Sequence, residues 1–334
     1  MPITKISINN FRCFKNLELS LSSGINFFFG SNGSGKTSIL ESVFIFSSGK
    51  SFKSSNLTSL INYDNDKFIL KGFDNKKGYI VEIEKSKNKT ISISLNNNKT
   101  TTNKLVKEFP CTPIHNNTFS FADASPDFRR KLVDRSIFIA EDNFSKVWFS
   151  FYRSLRQRNF LLKNNRISDI YNWNTKLADE AEKLTKYRKD FFEKTLNEFY
   201  LLINLLKPED VFDFFNFIKI EFSQGWAPEK SYLDVLNENK DIDIKRRSTT
   251  SGPHKSDIKF FINDIDARQI LSRGEQKFFS IIWSCAQHEV LKKHYEIDAT
   301  LLIDDIKSEL DERVFKLFSD LLNHINTQVI FSCI

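Results

Sequence analysis

Gly30-Ser31-Asn32-Gly33-Ser34-Gly35-Lys36-Thr37 is the stretch on which the reading of this chain turns. Its three glycines let the backbone turn tightly enough for successive N–H groups to point inward at phosphate oxygens. The apolar run Ile25–Phe29 just before it predicts a buried strand, and a helix is expected over about 37–47. The positive end of that helix reinforces an anion site at the same spot. Lys36 then reaches the β- and γ-phosphates, and the Thr37 hydroxyl ligates Mg²⁺. Gly30, Ser31, Asn32, Gly33, Ser34, Gly35, Lys36, Thr37 and Ser38 are thus expected to hold ATP.

Far downstream, Thr300-Leu301-Leu302-Ile303-Asp304-Asp305 reads as an apolar strand ending in two carboxylates. An acid delivered at the C-terminal end of a buried strand suits Mg²⁺, which makes Asp304 the expected metal-holding residue beside Thr37. Asp305 stands where a water-activating base would sit. Lys36, Asp304 and Asp305 are accordingly the catalytic candidates.

About 30 residues before that strand, Leu271-Ser272-Arg273-Gly274-Glu275-Gln276 opens an apolar helix. A hydroxyl, free N–H groups and the helix dipole make a second anion site there, through Ser272 and Gly274. Two phosphate-facing helix starts in one chain suggest that one serves a neighbouring molecule's nucleotide.

Between these motifs the character of the chain changes. Short runs at Ile6–Ile8 and Phe68–Leu70 predict strands, and the alternation Tyr79/Val81/Ile83 and Ile91/Ile93/Leu95 predicts two more in an antiparallel edge with one wet face. From Phe128 to about Leu206 neither Gly nor Pro occurs, and Trp173, Leu177, Ala181, Leu184 and Phe191 recur at helical spacing. A turn is expected near Asn164-Asn165-Arg166. Strand character returns at Ile218–Phe222 and Ile258–Ile262, while Lys240–Arg247 reads as a solvated loop. The two β-containing ends, 1–122 and 250–334, make one α/β domain of mixed sheets with helices, and 123–249 a mostly helical insertion.

The composition is that of an ordinary globular chain: 40% hydrophobic and 27% charged residues in 334. The 34 phenylalanines sit with abundant Asn, Lys and Ile, a codon-bias pattern rather than a special surface. A net charge of +7 permits a polyanionic partner without requiring one. No run of 18 apolar residues is present, and the N-terminus lacks a signal-peptide pattern, so a cytoplasmic protein with no membrane partner is expected. The scattered Cys13, Cys111, Cys285 and Cys333 form no CxxC pair and read as buried small hydrophobes.

The order of phosphate loop, LSRGEQ, then Asp304-Asp305 followed by Ser308-Glu309-Leu310-Asp311 resembles ABC-type P-loop ATPase heads, and most closely the RecF family. Segments similar to that family's own are Asn10-Phe11-Arg12-Cys13-Phe14, Gly49-Lys50-Ser51-Phe52-Lys53, and Arg129-Arg130 with Asp134. Leu155-Arg156-Gln157-Arg158-Asn159, Gln224-Gly225-Trp226 and Ser251-Gly252-Pro253-His254-Lys255-Ser256-Asp257 extend the similarity over most of the chain. The departures are Ile114-His115-Asn116-Asn117 where the family commonly has Pro-Glu/Asp, and a last residue, Ile334, earlier than usual. Asp305 stands where transporters have Glu, and no His follows Gln328–Ser332.

The resemblance implies an ATP-dependent homodimer. ATP at Gly30–Ser38 of one copy would be capped by Ser272 and Gly274 of the other, with Ser308–Asp311 linking the two sites and weak hydrolysis opening the clamp. It further implies DNA binding at single-strand gaps and junctions, with RecO and RecR as partners, in recombinational repair and replication-fork maintenance by loading of the strand-exchange protein. Lys50, Lys53, Arg129, Arg130, Arg156 and Arg158 are the candidate DNA contacts. Arg12 is either a phosphate contact or a strand-end surface arginine, and His254 a nucleotide contact or a loop cap. A transport ATPase subunit and a non-hydrolysing DNA-binding relic are the rival readings. The RecF-like segments oppose the first, and intact Lys36, Thr37, Ser272 and Asp304 the second.

Overall fold

The computed structural model describes residues 3–75, 77–115, 118, 121–207, 212–306 and 310–333. In chain order the first part contains β1 (Lys5–Phe11), β2 (Phe14–Ser20), β3 (Ile25–Phe29), α1 (Lys36–Ser48), β4 (Lys67–Asp74), β5 (Tyr79–Ser86), β6 (Ser92–Leu95), β7 (Asn98–Lys99), α2 (Thr102–Glu108) and β8 (Cys111–Ile114). There follow α3 (Pro126–Ala140), α4 (Phe144–Lys163), α5 (Ile170–Leu206), β9 (Ile218–Ser223), α6 (Tyr232–Glu238) and α7 (Lys240–Arg246). The last part contains β10 (Asp257–Ile262), β11 (Ile265–Asp266), α8 (Ala267–Ile270), α9 (Arg273–Tyr295), β12 (Thr300–Asp304), α10 (Glu312–His324) and β13 (Val329–Cys333).

The described strands form three sheets. An antiparallel one runs β2-β1-β4-β5-β6-β7, a small one β11-β10-β9, and a parallel one β3-β13-β12-β8. In the antiparallel sheet Phe68, Leu70, Val81 and Ile83 are buried while their neighbours along each strand are not, the period-2 alternation that the sequence shows. The parallel sheet has helices on both faces. On one side Leu302 and Ile330 join α1 in a core shared with the antiparallel sheet. On the other, Leu301, Ile303, Val329 and Phe331 join the core of α3, α5 and α9. Central strands β12 and β13 are wholly buried and therefore read as continuous apolar runs.

Strand β3 departs from the buried strand expected. Among the described strands it pairs with β13 alone, and at this edge Ile25, Phe27 and Phe29 are 55%, 54% and 76% exposed. The Lys240–Arg247 loop is also corrected: Lys240–Arg246 is helical, and Asp243 turns inward from it to meet an arginine.

The helical segment is as expected in kind, with α4 ending at Lys163 and Asn165 in the left-handed conformation of a turn. On α5, Leu177, Ala181, Leu184 and Phe191 face the core. Strand β9, inside 123–249, pairs antiparallel with β10 outside it, and one continuous core runs from α3 to β13. Three buried ion pairs hold this region: Arg129–Asp257 at 2.8 Å, Arg188–Asp134 at 2.8 Å and Arg158–Asp243 at 2.7 Å. The GW and GPHKSD segments meet directly, with Gly252 N–H donating to Gly225 O at 3.0 Å. A Cβ on Gly225, whose φ is 95°, would lie 2.2 Å from Gly252 O, so only glycine fits.

Candidate phosphate-binding site

The glycine-rich loop joins β3 to α1, and Gly35 caps the helix with φ 94°. A Cβ there would lie 2.4 Å from the Phe14 ring and 2.9 Å from Cys13 Sγ, because the two-residue turn Arg12-Cys13 between β1 and β2 presses on the loop. Lys36 Nζ donates to Gly30 O at 2.5 Å and Ser31 O at 2.9 Å, carbonyls that stand in for phosphate oxygens. No acidic side chain sits in the first turn of α1 to oppose an anion.

Strand β12 brings Asp304 to this loop. The carboxylate is 7% exposed, and its Oδ1 accepts from Thr37 Oγ1 at 2.9 Å and from Ser332 Oγ at 2.8 Å. Asp305 has φ 51°, and its N–H is held by Ser332 O at 3.2 Å and Ser332 Oγ at 3.1 Å. Ser332 was not a sequence candidate. It lies on the last strand, where the sequence shows only that no His is present, and its partner is 28 residues away.

The resulting cavity of about 350 Å³ is lined by Asn32 to Ser38, Arg12, Cys13, Lys53, Asp305 and Ser332. Arg12 is thereby brought to the cavity. Its guanidinium also makes a two-bond pair, at 2.8 and 2.9 Å, with Glu41, a carboxylate on α1 that is otherwise buried. Cys13 is exposed here, correcting the expectation of four buried cysteines. Beside the cavity His115 stacks on Phe52 at 4.8 Å. Burial pulls its pKa down to about 4 against the opposing charge of Asp304, so the imidazole is neutral near pH 7. Asn116, Asn117, Ser308 and Glu309 lie outside the described residues.

Ser272 caps α9, with its Oγ accepting from Glu275 N–H and its own N–H bonded to Glu275 at 2.7 Å. Ser272 and Gly274 are exposed, and neither lines the cavity formed by Gly30–Ser38 of the same chain.

The candidate DNA contacts divide. Arg129 and Arg158 are corrected: at 2% and 0% exposure, paired with Asp257 and Asp243, they have no surface to offer a phosphate backbone. Arg130 is largely occupied by Ser256 O at 2.6 Å and Asp127 at 3.6 Å. Lys53 is exposed but stands at the phosphate cavity, its Nζ 3.8 Å from Asp304. Lys50 and Arg156 remain exposed. His254 caps its loop, its Nε2 3.0 Å from Thr249 O, and burial lowers its pKa to about 4.

The fold is that of an ABC-type P-loop ATPase head. The model of the RecF/RecN/SMC N terminal domain matches residues 2–334. The chain is 31% identical to the DNA replication and repair protein RecF of Nitrosococcus oceani, covering 98% of this chain and 91% of the relative. It is 33% identical to that of Mannheimia succiniciproducens, covering 100% and 92%. Among solved structures it superimposes on the recombination mediator protein RecF-ATP with TM-score 0.82 at 23% identity, over 99% of this chain and 91% of that one. An SmcHead bound to the C-winged helix domain of ScpA follows at TM-score 0.60 and 16% identity, over 99% and 89%. The chain belongs to the RecF family.

Proposed function

We propose that this chain is an ATP-gated DNA-binding protein of recombinational repair and replication-fork maintenance. In this reading it is a cytoplasmic protein that dimerises on ATP, acts at single-strand gaps and junctions, and works with RecO and RecR to load the strand-exchange protein. The observation that carries the reading is the separation of two anion sites on one chain. Ser272 and Gly274 form an exposed helix start outside their own chain's phosphate cavity, where a second copy's phosphate would take the place of the capping Glu275 carboxylate.

Gly30–Ser38 would hold ATP, with Lys36, Lys53 and Arg12 supplying positive charge around its phosphates. Thr37 and Asp304 suit Mg²⁺, since their oxygens already lie 2.9 Å apart and a magnesium site needs few protein ligands besides phosphate and water. Bound there, the ion would neutralise charge on the phosphates. Asp305, fixed by Ser332, would orient the attacking water for slow hydrolysis that opens the dimer.

Sedimentation velocity with ATP, Mg²⁺ and gapped DNA tests this. A dimer that forms with wild type and not with Lys36→Ala supports the reading; a persistent monomer refutes it. Mixing Lys36→Ala with Ser272→Arg tests the shared site, because one intact composite site remains only if the two motifs come from different copies.

A further inference from the structure

A second cavity, of about 420 Å³, opens where the helical segment meets the far end of α1, away from the phosphate loop. Its walls are Phe138, Trp148 and Phe149, and its lining carries Lys50, Arg135 and two further lysines. The indole of Trp148 is held in place. Its N–H donates to Asp134 at 2.9 Å, and the ring meets Phe138 at 5.7 Å, Phe149 at 5.2 Å and Tyr152 at 4.4 Å. Phe149 is 52% exposed, an apolar ring offered to solvent at the cleft.

The charge is one-sided. Asp134 is the one carboxylate among the lining residues, and it is taken up by a two-bond pair with Arg188 at 2.8 Å. Of the four lining cations, Lys107 and Lys131 have carboxylate partners, Asp142 and Asp127, that do not line the cavity. Arg135 has no carboxylate partner among the described residues. It lies over the Phe44 ring at 4.5 Å, donates to Ser47 Oγ at 3.0 Å, and keeps its buried Nε without a hydrogen bond. Fixed aromatic faces beside uncompensated cations suit a ligand that is a planar ring and an anion at once.

We propose that this cleft takes one unpaired nucleotide of a DNA strand, its base stacked on the exposed Phe149 with its edge toward Trp148, the two rings being near-perpendicular, and its phosphate held by Lys50 and Arg135. The assignment rests on the DNA-binding reading and gives it a place on the chain. It also sets the nucleotide cavity and the DNA at two ends of one element. Ser48 and Lys50 border the cleft, while Lys53, three residues on, faces Asp304 in the phosphate cavity.

The test compares wild type with Phe149→Ala and Lys50→Ala on a fluorescent dT20 strand, a gapped duplex and a blunt duplex, each with ATP. Because stacking one base contributes about 1–3 kcal/mol, Phe149→Ala is expected to weaken dT20 and gapped-duplex binding by roughly 10-fold. Blunt-duplex affinity and ATP binding should stay unchanged. Equal losses on all three DNAs, or no loss on any, overturn the cleft. If wild type itself binds none of the three, the DNA-binding reading falls instead. A fluorescent Glu-Glu-Glu-Phe peptide is the remaining arm: peptide binding that Phe149→Ala abolishes, with dT20 binding intact, makes the cleft a peptide site and overturns the proposal. Thermal melting of each variant separates lost contacts from lost folding.

Discussion

The hydroxyl of Thr37 donates a 2.9 Å hydrogen bond to Asp304, a residue 267 positions further along the chain. The contact brings together the first turn of α1 and the tip of β12, the two places that the sequence marks independently as phosphate and metal chemistry. Asp304→Asn keeps the shape and removes the charge. Phosphate release should fall by about 10²-fold or more, the scale seen when one charge-stabilising group is lost. Binding of a fluorescent ATP analogue should survive, and unchanged turnover would remove Asp304 from catalysis.

Gly35→Ala meets both a left-handed backbone and a collision with Phe14 and Cys13. Strain at such a position costs roughly 1–3 kcal/mol. The loop or the Arg12-Cys13 turn must shift, so nucleotide affinity should drop well beyond the loss of stability. Calorimetric titration with ATP, alongside a denaturant melt, measures the two effects separately.

Cys13 is the exposed one of four cysteines and lines the phosphate cavity. A thiol reagent should therefore label one site quickly in the native protein, and saturating ATP should slow that labelling. Rapid modification of two or more thiols, or no protection by ATP, would count against the cavity as drawn.

Arg158 and Asp243 form a pair at 0% and 1% side-chain exposure, and the guanidinium also donates to Thr249 and Asn174. Arg158→Ala strands a buried carboxylate, a loss of about 3–5 kcal/mol. The salt dependence of DNA binding should be untouched by it. Arg156→Ala, on the exposed side of the same helix, should leave stability alone and lower the slope of log K against log salt by about one if it meets a phosphate. A salt series on both variants decides.

His254 and His115 are held neutral by burial, each with a pKa near 4 against an ordinary 6.5. Below pH 6.5 the unfolded chain binds protons that the folded chain refuses, so stability falls as pH drops from 6.5 toward 4. The shift corresponds to about 3 kcal/mol per residue at the acid end of that window. Denaturant midpoints at pH 7.5 and 5 should differ, and His254→Gln should narrow the gap.

Much of this molecule was legible because it is local. The glycine spacing before Lys36, the apolar run ending at Asp304 and the periodicity along α5 each depend on neighbours within a few residues. What was not legible depends on distant partners. Arg129 and Arg158 look like any helix-surface arginine until Asp257 and Asp243, 128 and 85 residues away, are seen to bury them. Lys53 points into the cavity because Phe52 stacks on His115 and Ser51 bonds Glu41, relations that no spacing rule encodes. The apolar run Ile25–Phe29 matches a central strand in composition, and only its single pairing partner makes it an edge.

That pairing sets the order in which the molecule can be built. Among the described strands β3 is joined to β12 through β13, whose residues follow those of β3 by more than 300 positions. A chain emerging from the ribosome can form the antiparallel sheet early, since its strands β1 to β7 all lie within the first 99 residues. The glycine loop has no Asp304 or Ser332 beside it until nearly all of these residues have been synthesised. The full constellation of glycine loop, Asp304 and Ser332 is therefore assembled only once β13 has been made.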